Sequence, residues 1–529
     1  MRRARVPERL ASPRARGLCP AADRRVRAGR PRRAGRPLLS ALRAEPAWRF
    51  GRPAGAGNMS SPINDVLRKI PSVEVLLLAP ELAETAVEYP RDVIRAAVRA
   101  AVAATRKHLL AAMPDDADQA QLQRTVVALA LGELRMAREP HYRKVINATG
   151  VILHTGLGRA VLPPAALRHI VEDLSGYSLL QMDVTTGRRG SRDTRIQWLL
   201  RQLTGAEAAT VVNNNAAATS LVLHTIGRGR EVIVSRGQLV EIGGSFRLPE
   251  VMEVSGAKLV EVGTTNKTHA RDYERAITEN TAAIMRVHPS NYKISGFTSE
   301  VPLSTLIDIA HARGVLVYDD LGAGAIVDVA QFGFAPEPTL RDSVSAGADL
   351  ISCSADKLIG GPQGGIILGR AECVQAVRKN PMARIVRPGK LALAALEATL
   401  PLLLDEKRAI AEIPTLRMLA RGLREIAEQA ERIAAALCER RVPAAVSTAK
   451  GYSQMGSGSL PTQNLPTRLV VIEPEREPAG ALARRLREYR PAIFTRTQKE
   501  RVLVDPRTVL DGEEPVLIDA LVGVLAAQG

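Results

Sequence analysis

A single lysine, Lys357, follows a short apolar strand pattern and precedes a glycine-rich turn. The stretch reads Ser352-Cys-Ser-Ala-Asp-Lys-Leu-Ile-Gly-Gly-Pro-Gln-Gly-Gly365. Schiff-base chemistry requires a lysine that loses its proton near neutral pH, and partial burial favours this because it lowers the pKa of the amine. Ser354 would place a hydroxyl near the amine, where it could help to hold a phosphate. A lysine and a phosphate site together predict pyridoxal 5'-phosphate (PLP). An isolated S-x-x-K is also typical of a surface lysine beside a loop.

Two acidic residues end another predicted strand, 37 residues before the lysine, in Leu316-Val-Tyr-Asp-Asp-Leu-Gly-Ala-Gly324. A carboxylate at a strand end can hold the protonated ring nitrogen of PLP, which keeps the ring an electron sink. We assign this role to Asp320 because the glycine turn follows it directly, with Asp319 as the alternative. Asp356 is next to Lys357 and could tune the amine or act as a general acid or base. A salt bridge or a cap is an equally simple role for Asp356.

A polar turn between a strand and a helix start is the predicted phosphate cup. It reads Thr210-Val-Val-Asn-Asn-Asn-Ala-Ala-Ala-Thr219. The free N–H groups and the dipole of a helix N-terminus bind phosphate. We therefore assign phosphate binding to Asn214, Asn215 and Ala216, while ordinary helix capping remains the alternative.

Several arginines lie in glycine- and proline-containing turns. Arg159 ends His154-Thr-Gly-Leu-Gly-Arg, and Arg384 and Arg387 belong to Met382-Ala-Arg-Ile-Val-Arg-Pro-Gly-Lys390. Arginine binds phosphate groups with two parallel hydrogen bonds. The three arginines therefore indicate a second, acidic substrate, although surface charge is the ordinary role of such residues.

Strand and helix patterns alternate along the middle of the chain. This alternation is typical of a mostly parallel sheet wrapped by helices, in which ligands lie at the carboxyl ends of the strands. The sequence thus predicts an α/β fold with a mostly parallel sheet wrapped by helices. The predicted strands are 209–212, 231–234, 258–262, 283–287, 315–318, 350–352 and 365–368.

Composition excludes several classes of protein. The 529 residues are 46% hydrophobic and 3% aromatic, and the net charge is +18. Residues 1–58 hold 16 arginines and three acidic residues, so they account for +13 of this charge. Four scattered cysteines argue against a disulfide framework and for a reducing, cytoplasmic compartment, and no His/Cys cluster predicts a metal site. No apolar run is long enough to predict a membrane span.

We divide the chain into four parts. Residues 1–58 form an arginine-rich leader that we expect to be disordered. It has the composition of translated upstream sequence, with Met59 as the true start, which we favour, or of a basic RNA-binding arm or an organellar transit peptide. Residues 59–135 show helical spacing and predict a small helical domain. Residues 136–400 predict the large PLP-binding domain, and residues 401–529 predict linker helices and a small α+β domain.

The C-terminal pattern is more detailed. Residues 451–465 are rich in Gly, Ser, Pro and Gln and predict a loop. A strand is predicted at 468–472, a helix at 481–489, a hairpin-like pair at 493–497 and 501–504, and a final helix at 515–526.

Taken together, these motifs resemble the bacterial L-seryl-tRNA(Sec) selenium transferases, or selenocysteine synthases. The resemblance covers about 71–521. It is carried by Asn147-Ala-Thr-Gly-Val-Ile-Leu-His-Thr-Gly-Leu-Gly-Arg159, Gly187-Arg-Arg-Gly-Ser-Arg192, Val212-Asn-Asn-Asn-Ala-Ala-Ala, Ser235-Arg-Gly-Gln-Leu-Val-Glu-Ile-Gly-Gly-Ser, Asp320-Leu-Gly-Ala-Gly and Asp356-Lys-Leu-Ile-Gly-Gly-Pro-Gln.

The resemblance implies the fold of a fold type I PLP-dependent transferase, a reaction and a set of residue roles. Seryl-tRNA(Sec) and selenophosphate would give selenocysteinyl-tRNA(Sec), by PLP-dependent β-elimination to dehydroalanyl-tRNA and addition of selenium. Lys357 would be the PLP lysine, with Asp356 as its neighbour, and Arg159, Arg384 and Arg387 would hold the selenophosphate. The resemblance further implies a helical tRNA-binding domain and a homodecamer, built as a pentamer of dimers.

Two other functions stay open on the sequence. A PLP-dependent lyase or desulfurase-like enzyme on a free small amino acid would need the same lysine but no tRNA. A tRNA-binding scaffold without catalysis would need neither the lysine nor the loops beside it.

Overall fold

The computed structural model describes residues 62–112, 118–138, 140–243, 246–289, 291–457 and 463–527. The predicted leader at 1–58 and its start at Met59 lie outside these residues. The chain divides into two compact units, Met1–Glu139 and Pro140–Gly529. The boundaries predicted at residues 135 and 400 stay predictions.

The first unit is helical in its described part. The long helices α4 and α5 pack against each other through apolar residues at helical spacing, such as Val98, Leu109 and Val126. Basic residues of α4, among them Arg99 and Arg106, stay exposed. The helices are α1 (Pro62–Arg68), α2 (Val73–Leu76), α3 (Pro80–Glu84), α4 (Arg91–Ala112) and α5 (Gln119–Arg138).

The second unit is built on a seven-stranded sheet. Its order is β2–β10–β9–β8–β7–β3–β6, and only β10 runs antiparallel to its neighbours. The predicted mostly parallel sheet is therefore confirmed. The strands are β2 (Ala208–Val212), β3 (Glu231–Ser235), β6 (Lys258–Val262), β7 (Thr281–Val287), β8 (Leu316–Gly322), β9 (Leu350–Ser354) and β10 (Gly365–Gly369).

Helices cover both faces of this sheet, because alternate strand residues enter two separate apolar cores. Val317 of β8 belongs to one core and Tyr318 to the other. The helices up to residue 420 are α6 (Pro164–Asp173), α7 (Thr194–Thr204), α8 (Asn215–Ile226), α9 (Leu248–Ser255), α10 (Ala270–Ala276), α11 (Leu303–His311), α12 (Leu340–Ala346), α13 (Ala371–Lys379), α14 (Met382–Ile385), α15 (Lys390–Thr399), α16 (Glu406–Glu412) and α17 (Pro414–Ala420).

A four-stranded antiparallel sheet and three helices form the C-terminal module. The sheet order is β11–β12–β15–β14, and a separate pair joins β1 to β13 in parallel. These elements share a core of their own. They are β1 (Val145–Asn147), β11 (Ala444–Gln454), β12 (Asn464–Pro474), β13 (Ala492–Phe494), β14 (Arg496–Gln498), β15 (Arg501–Val504), α18 (Leu423–Glu439), α19 (Ala479–Glu488) and α20 (Glu514–Ala526); the short hairpin β4 (Glu241–Ile242) and β5 (Phe246–Arg247) completes the unit.

Two details of the C-terminal prediction were wrong. The predicted loop at 451–465 is strand up to Gln454 and again from Asn464, because a long β11 pairs with β12 along eleven residues. Its polar residues reflect a half-exposed edge strand and not a loop. The predicted hairpin begins only at Arg496, since Ile493 and Phe494 pair with β1 instead.

Within the described residues we find no helix with the length and apolar character that a membrane crossing requires.

Candidate active site

Lys357 lies in a tight turn directly after β9. The turn is closed by hydrogen bonds from the Gly361 N–H to the Ala355 carbonyl (2.9 Å) and from the Gly360 N–H to the Lys357 carbonyl (3.0 Å). Only 5% of the residue is exposed. Burial, and after it the charge of Arg159, lowers the pKa of Lys357 below its usual value, while Asp356 and Asp320 act in the opposite direction. The amine is thus placed where it can lose its proton at a lower pH than a surface lysine.

Arg159 and Asp356 form an ion pair beside this lysine. The Arg159 Nη1 donates to Asp356 Oδ2 at 2.7 Å, and Asp356 is buried. The backbone of Arg159 has φ 64°, a left-handed conformation that costs energy for a residue with a side chain. The loop therefore holds Arg159 against the neighbour of Lys357 at the expense of local strain.

Asp320 and Asp319 point to opposite sides of the sheet, as successive residues of a strand do. Asp320 accepts hydrogen bonds from Asn215 Nδ2 (2.8 Å), Thr219 Oγ1 (2.9 Å) and the Gly322 N–H (3.2 Å). Burial raises the pKa of Asp320, and these donors oppose that rise.

Asp319 has different partners. It accepts hydrogen bonds from Arg286 Nη1 (3.1 Å) and Ser343 Oγ (2.6 Å), on the other face of the sheet. Asp319 is thus engaged in a buried ion pair, whereas the charge of Asp320 acts on Lys357 and raises the pKa of that amine.

The predicted phosphate cup is the N-terminus of α8, at the same sheet edge as Lys357. Asn214 is the N-cap, and its Oδ1 accepts a hydrogen bond from the Ala217 N–H at 2.8 Å. The N–H groups of Asn215 and Ala216 lie in the first helical turn, so they have no carbonyl partner within the helix. Asn214 can therefore cap the helix while the neighbouring N–H groups remain available to a phosphate. The side chain of Asn215 also contacts Asp320.

The chemistry of the residues around the turn fits PLP. Ser354 is buried at the end of β9. A side chain at Gly365 would stand 2.2 Å from the Asn214 carbonyl oxygen, so β10 approaches the cup as closely as only glycine allows. The Oδ1 atom of Asn215 is buried without a hydrogen-bond partner among the described residues. A buried lysine, free helix N–H groups and a buried carboxylate are the groups that PLP requires.

Arg384 and Arg387 are exposed on and just after α14, next to the cup. The Asn213 N–H donates to the Val386 carbonyl at 2.9 Å, which fixes this segment against the turn. Arg192 lies near both of these arginines. Burial lowers the pKa of Arg192, and the nearby positive charges of Arg387, Arg189 and Arg384 lower it further. Arg192 and Arg387 line a cavity of about 180 Å³.

The structure thus brings Lys357, Asp356, Arg159 and Asp320 together, and it places Arg384 and Arg387 beside the phosphate cup. The contacts of the described residues do not join these two arginines to Lys357. Sequence reasoning missed Thr219 as a partner of Asp320. Its signal was the spacing from Asn215, because residues four apart lie on one helix face.

This fold defines the class of protein. The architecture is that of the fold type I PLP-dependent enzymes. It is similar to a solved D-glucosaminate-6-phosphate ammonia-lyase, with a TM-score of 0.51 and 19% identity over 73% of this chain and 96% of that one.

Within this class the sequence identifies a family. The family described as L-seryl-tRNA selenium transferase matches residues 145–510, and the one described as the N-terminal part of selenocysteine synthase matches residues 67–106. The chain belongs to the L-seryl-tRNA(Sec) selenium transferase family, which confirms the resemblance drawn from the motifs.

Curated relatives agree with this assignment. A protein named L-seryl-tRNA(Sec) selenium transferase from Alkaliphilus metalliredigens (strain QYMF) is 45% identical over 460 residues, which are 86% of this chain and 98% of the relative. A relative of the same name from Nitratidesulfovibrio vulgaris is 45% identical over 464 residues, 87% of this chain and 99% of the relative.

Proposed function

We propose that this protein is a PLP-dependent L-seryl-tRNA(Sec) selenium transferase that converts seryl-tRNA(Sec) to selenocysteinyl-tRNA(Sec) with selenophosphate. The observation that carries the proposal is the buried Lys357, next to the Arg159–Asp356 ion pair and at the same sheet edge as Asp320. Membership of the family supports the choice of substrate.

In this proposal Lys357, Asp320, Ser354 and the cup residues hold PLP. When bound there, PLP would serve as an electron sink for the substrate α-carbon. The first-turn N–H groups at Asn215 and Ala216 bind the phosphate. Asp320 would hold the ring nitrogen in its protonated form.

The chain's own residues then move the protons. The Nζ atom of Lys357, whose pKa is lowered by burial, takes the proton from the seryl α-carbon and later returns one to it. Asp356 assists departure of the β-hydroxyl as water. Arg159 holds the Asp356 carboxylate in place at 2.7 Å until an anionic substrate competes for the guanidinium.

Arginines position the selenium donor. Arg384 and Arg387 are exposed and have no carboxylate partner among the described residues, so their charges are available to selenophosphate. Together with Arg159 they bind its oxygen atoms. Selenium adds to the β-carbon from which the hydroxyl group has left, while water takes the phosphoryl group, the P–Se bond breaks and orthophosphate leaves. Placing the two reactants in one site converts a bimolecular step into an effectively unimolecular one.

The remaining parts of the proposal concern partners and location. The helical part of the first unit, with exposed Arg99 and Arg106 on α4, binds tRNA phosphates. The working form is a homo-oligomer, a decamer arranged as a pentamer of dimers, in the cytoplasm.

A turnover assay tests the proposal. We incubate the full-length protein with PLP, selenophosphate and either seryl-tRNA(Sec) or free serine. Mass spectrometry then identifies the products, as aminoacyl-tRNA or as free amino acid. We expect selenocysteinyl-tRNA(Sec) and no turnover of free serine. Turnover of free serine or cysteine without use of the tRNA would contradict the proposal and support the lyase alternative.

A further inference from the structure

Next to Asp320 lies a set of buried hydroxyl groups to which the proposed reaction gives no role. Thr219 lies on α8, Tyr318 on β8 two residues before Asp320, and Ser352 on β9. Residues two apart on a strand face the same side of the sheet, and Ser352 stands opposite Asp320 in the parallel register. All three hydroxyl residues are fully buried.

The hydroxyl groups form a continuous path to the carboxylate. Ser352 Oγ and the Tyr318 hydroxyl are 2.7 Å apart, the Tyr318 hydroxyl donates to Thr219 Oγ1 at 3.4 Å, and Thr219 Oγ1 donates to Asp320 Oδ2 at 2.9 Å. Each hydroxyl has one hydrogen and can both donate and accept. The Thr219 hydrogen has two acceptors, Asp320 Oδ2 and the Asn215 carbonyl at 3.0 Å. When it is directed at Asp320, all three hydrogens point towards that carboxylate, in the order Ser352, Tyr318, Thr219.

We propose that Thr219, Tyr318 and Ser352, the hydroxyl network, keep Asp320 ionised and oriented as the acceptor for the ring nitrogen of PLP, with Tyr318 and Ser352 as positioning residues. The inference rests on the proposed function because it assumes that PLP binds at this site. It adds that residues out of reach of the cofactor determine how strongly its ring is held.

The physical reason is the burial of Asp320. Removal from water favours the neutral acid, and burial accordingly raises the pKa of Asp320. A neutral Asp320 would lose its charge interaction with a protonated ring nitrogen. Donors directed at the carboxylate favour its charged form, and a chain of hydroxyl groups strengthens each donor by polarising the next.

The adjacent carboxylate provides a matched control. Ser343 donates to Asp319 at 2.6 Å and is buried, but on the other face of the sheet. Ser343→Ala and Ser352→Ala thus remove the same buried group from two neighbouring carboxylate environments. Only the second belongs to the hydroxyl network.

The test measures PLP binding to the full-length protein after removal of its cofactor, by titration of the visible absorbance. We expect Tyr318→Phe and Ser352→Ala each to raise the dissociation constant of PLP about 3- to 10-fold, the effect of one hydrogen bond. Thr219→Val removes a bond to a charged group, and we expect an increase of about 10-fold or more. Ser343→Ala should leave the constant within about 2-fold of the wild type, because its partner Asp319 does not face the site.

A second ligand separates positioning from general damage. In 1-deazapyridoxal 5'-phosphate a carbon replaces the ring nitrogen, so this compound cannot bond to Asp320 through that atom. The Tyr318→Phe and Ser352→Ala proteins should bind the deaza compound as tightly as the wild type does. Equal losses for both ligands, or a wild-type affinity for PLP in both variants, would overturn the inference. Absence of PLP binding by the wild type itself would instead overturn the proposed function.

Discussion

The sheet edge around Asp320 and the arginine segment at 384–387 differ in how completely the chain satisfies its own charges. Asp320 is buried and accepts three hydrogen bonds from within the chain. Arg384 and Arg387 are exposed, and no carboxylate within the described residues pairs with them. The first region is preorganised by the fold itself, whereas the second presents positive charge with no partner in the described part of the chain.

This difference is what a two-substrate reaction needs. A resident cofactor is held best by groups that are fixed before it arrives, because no reorganisation is then required. A substrate anion that must come and go is held best by charges that remain accessible. The Arg159–Asp356 ion pair combines features of both regions. Asp356 is buried, Arg159 is partly exposed, and the backbone of Arg159 is strained.

The largest effect is expected at Lys357. Lys357→Ala should lower turnover of seryl-tRNA(Sec) by at least about 10²-fold, because the amine that moves the α-proton is removed. Single-turnover kinetics with the full-length protein measure this. Activity within a few-fold of the wild type would exclude Lys357 as the proton-transfer group.

Replacement of the two adjacent aspartates sharpens the comparison. Asp320→Ala should abolish tight PLP binding while the protein stays folded. Asp319→Ala should instead lower the free energy of unfolding by about 3–5 kcal/mol, because it leaves the partly buried Arg286 unpaired. PLP titration and denaturant unfolding of both variants test this pair. The account of the site would be wrong if the two phenotypes were exchanged.

The arginine segment should affect substrate and not cofactor. Arg387→Ala should raise the KM for selenophosphate about 10- to 100-fold, the effect of charge-assisted hydrogen bonds, with PLP affinity unchanged. Arg378 is the control: it lines the same cavity but is paired with Asp193 at 2.8 Å, so Arg378→Ala should destabilise the fold. An unchanged KM in Arg387→Ala would remove this residue from the donor site.

The smallest effect concerns a buried acid outside both regions. Burial raises the pKa of Glu337 from 4.5 to about 7, with Arg286 opposing the rise. The folded protein thus binds this proton more tightly than the unfolded chain, so the stabilisation is complete below pH 4.5 and is lost as the pH rises towards 7. Glu337→Gln cannot titrate. We therefore compare the free energies of unfolding of the wild type and of Glu337→Gln at each pH. The difference, wild type minus variant, should fall by about 1–3 kcal/mol over this range. A difference that stays constant with pH would contradict the raised pKa of Glu337.

The sequence predicted the strands of the large sheet well because each is a short apolar run with a polar end. Lys357, Asp320 and Asn214 were recognisable since they follow such strands directly. Tyr318 and Ser352 were not, because their contact depends on the register of β8 with β9. For Thr219 the sequence offered only its four-residue spacing from Asn215, and the contact with Asp320 depends on the packing of α8. Strand β11 was missed for a related reason: its half-exposed residues have no apolar run, and only pairing with β12 defines it.

The most direct test of the account is chemical capture of the cofactor on the full-length protein. The protein is incubated with PLP, reduced with borohydride and digested, and the modified lysine is located by peptide mass spectrometry, with Lys357→Ala in parallel. We expect the label on Lys357 in the wild type and no label in the variant. Labelling of another lysine, or equal labelling of the variant, would contradict the assignment of Lys357 on which the proposed function depends.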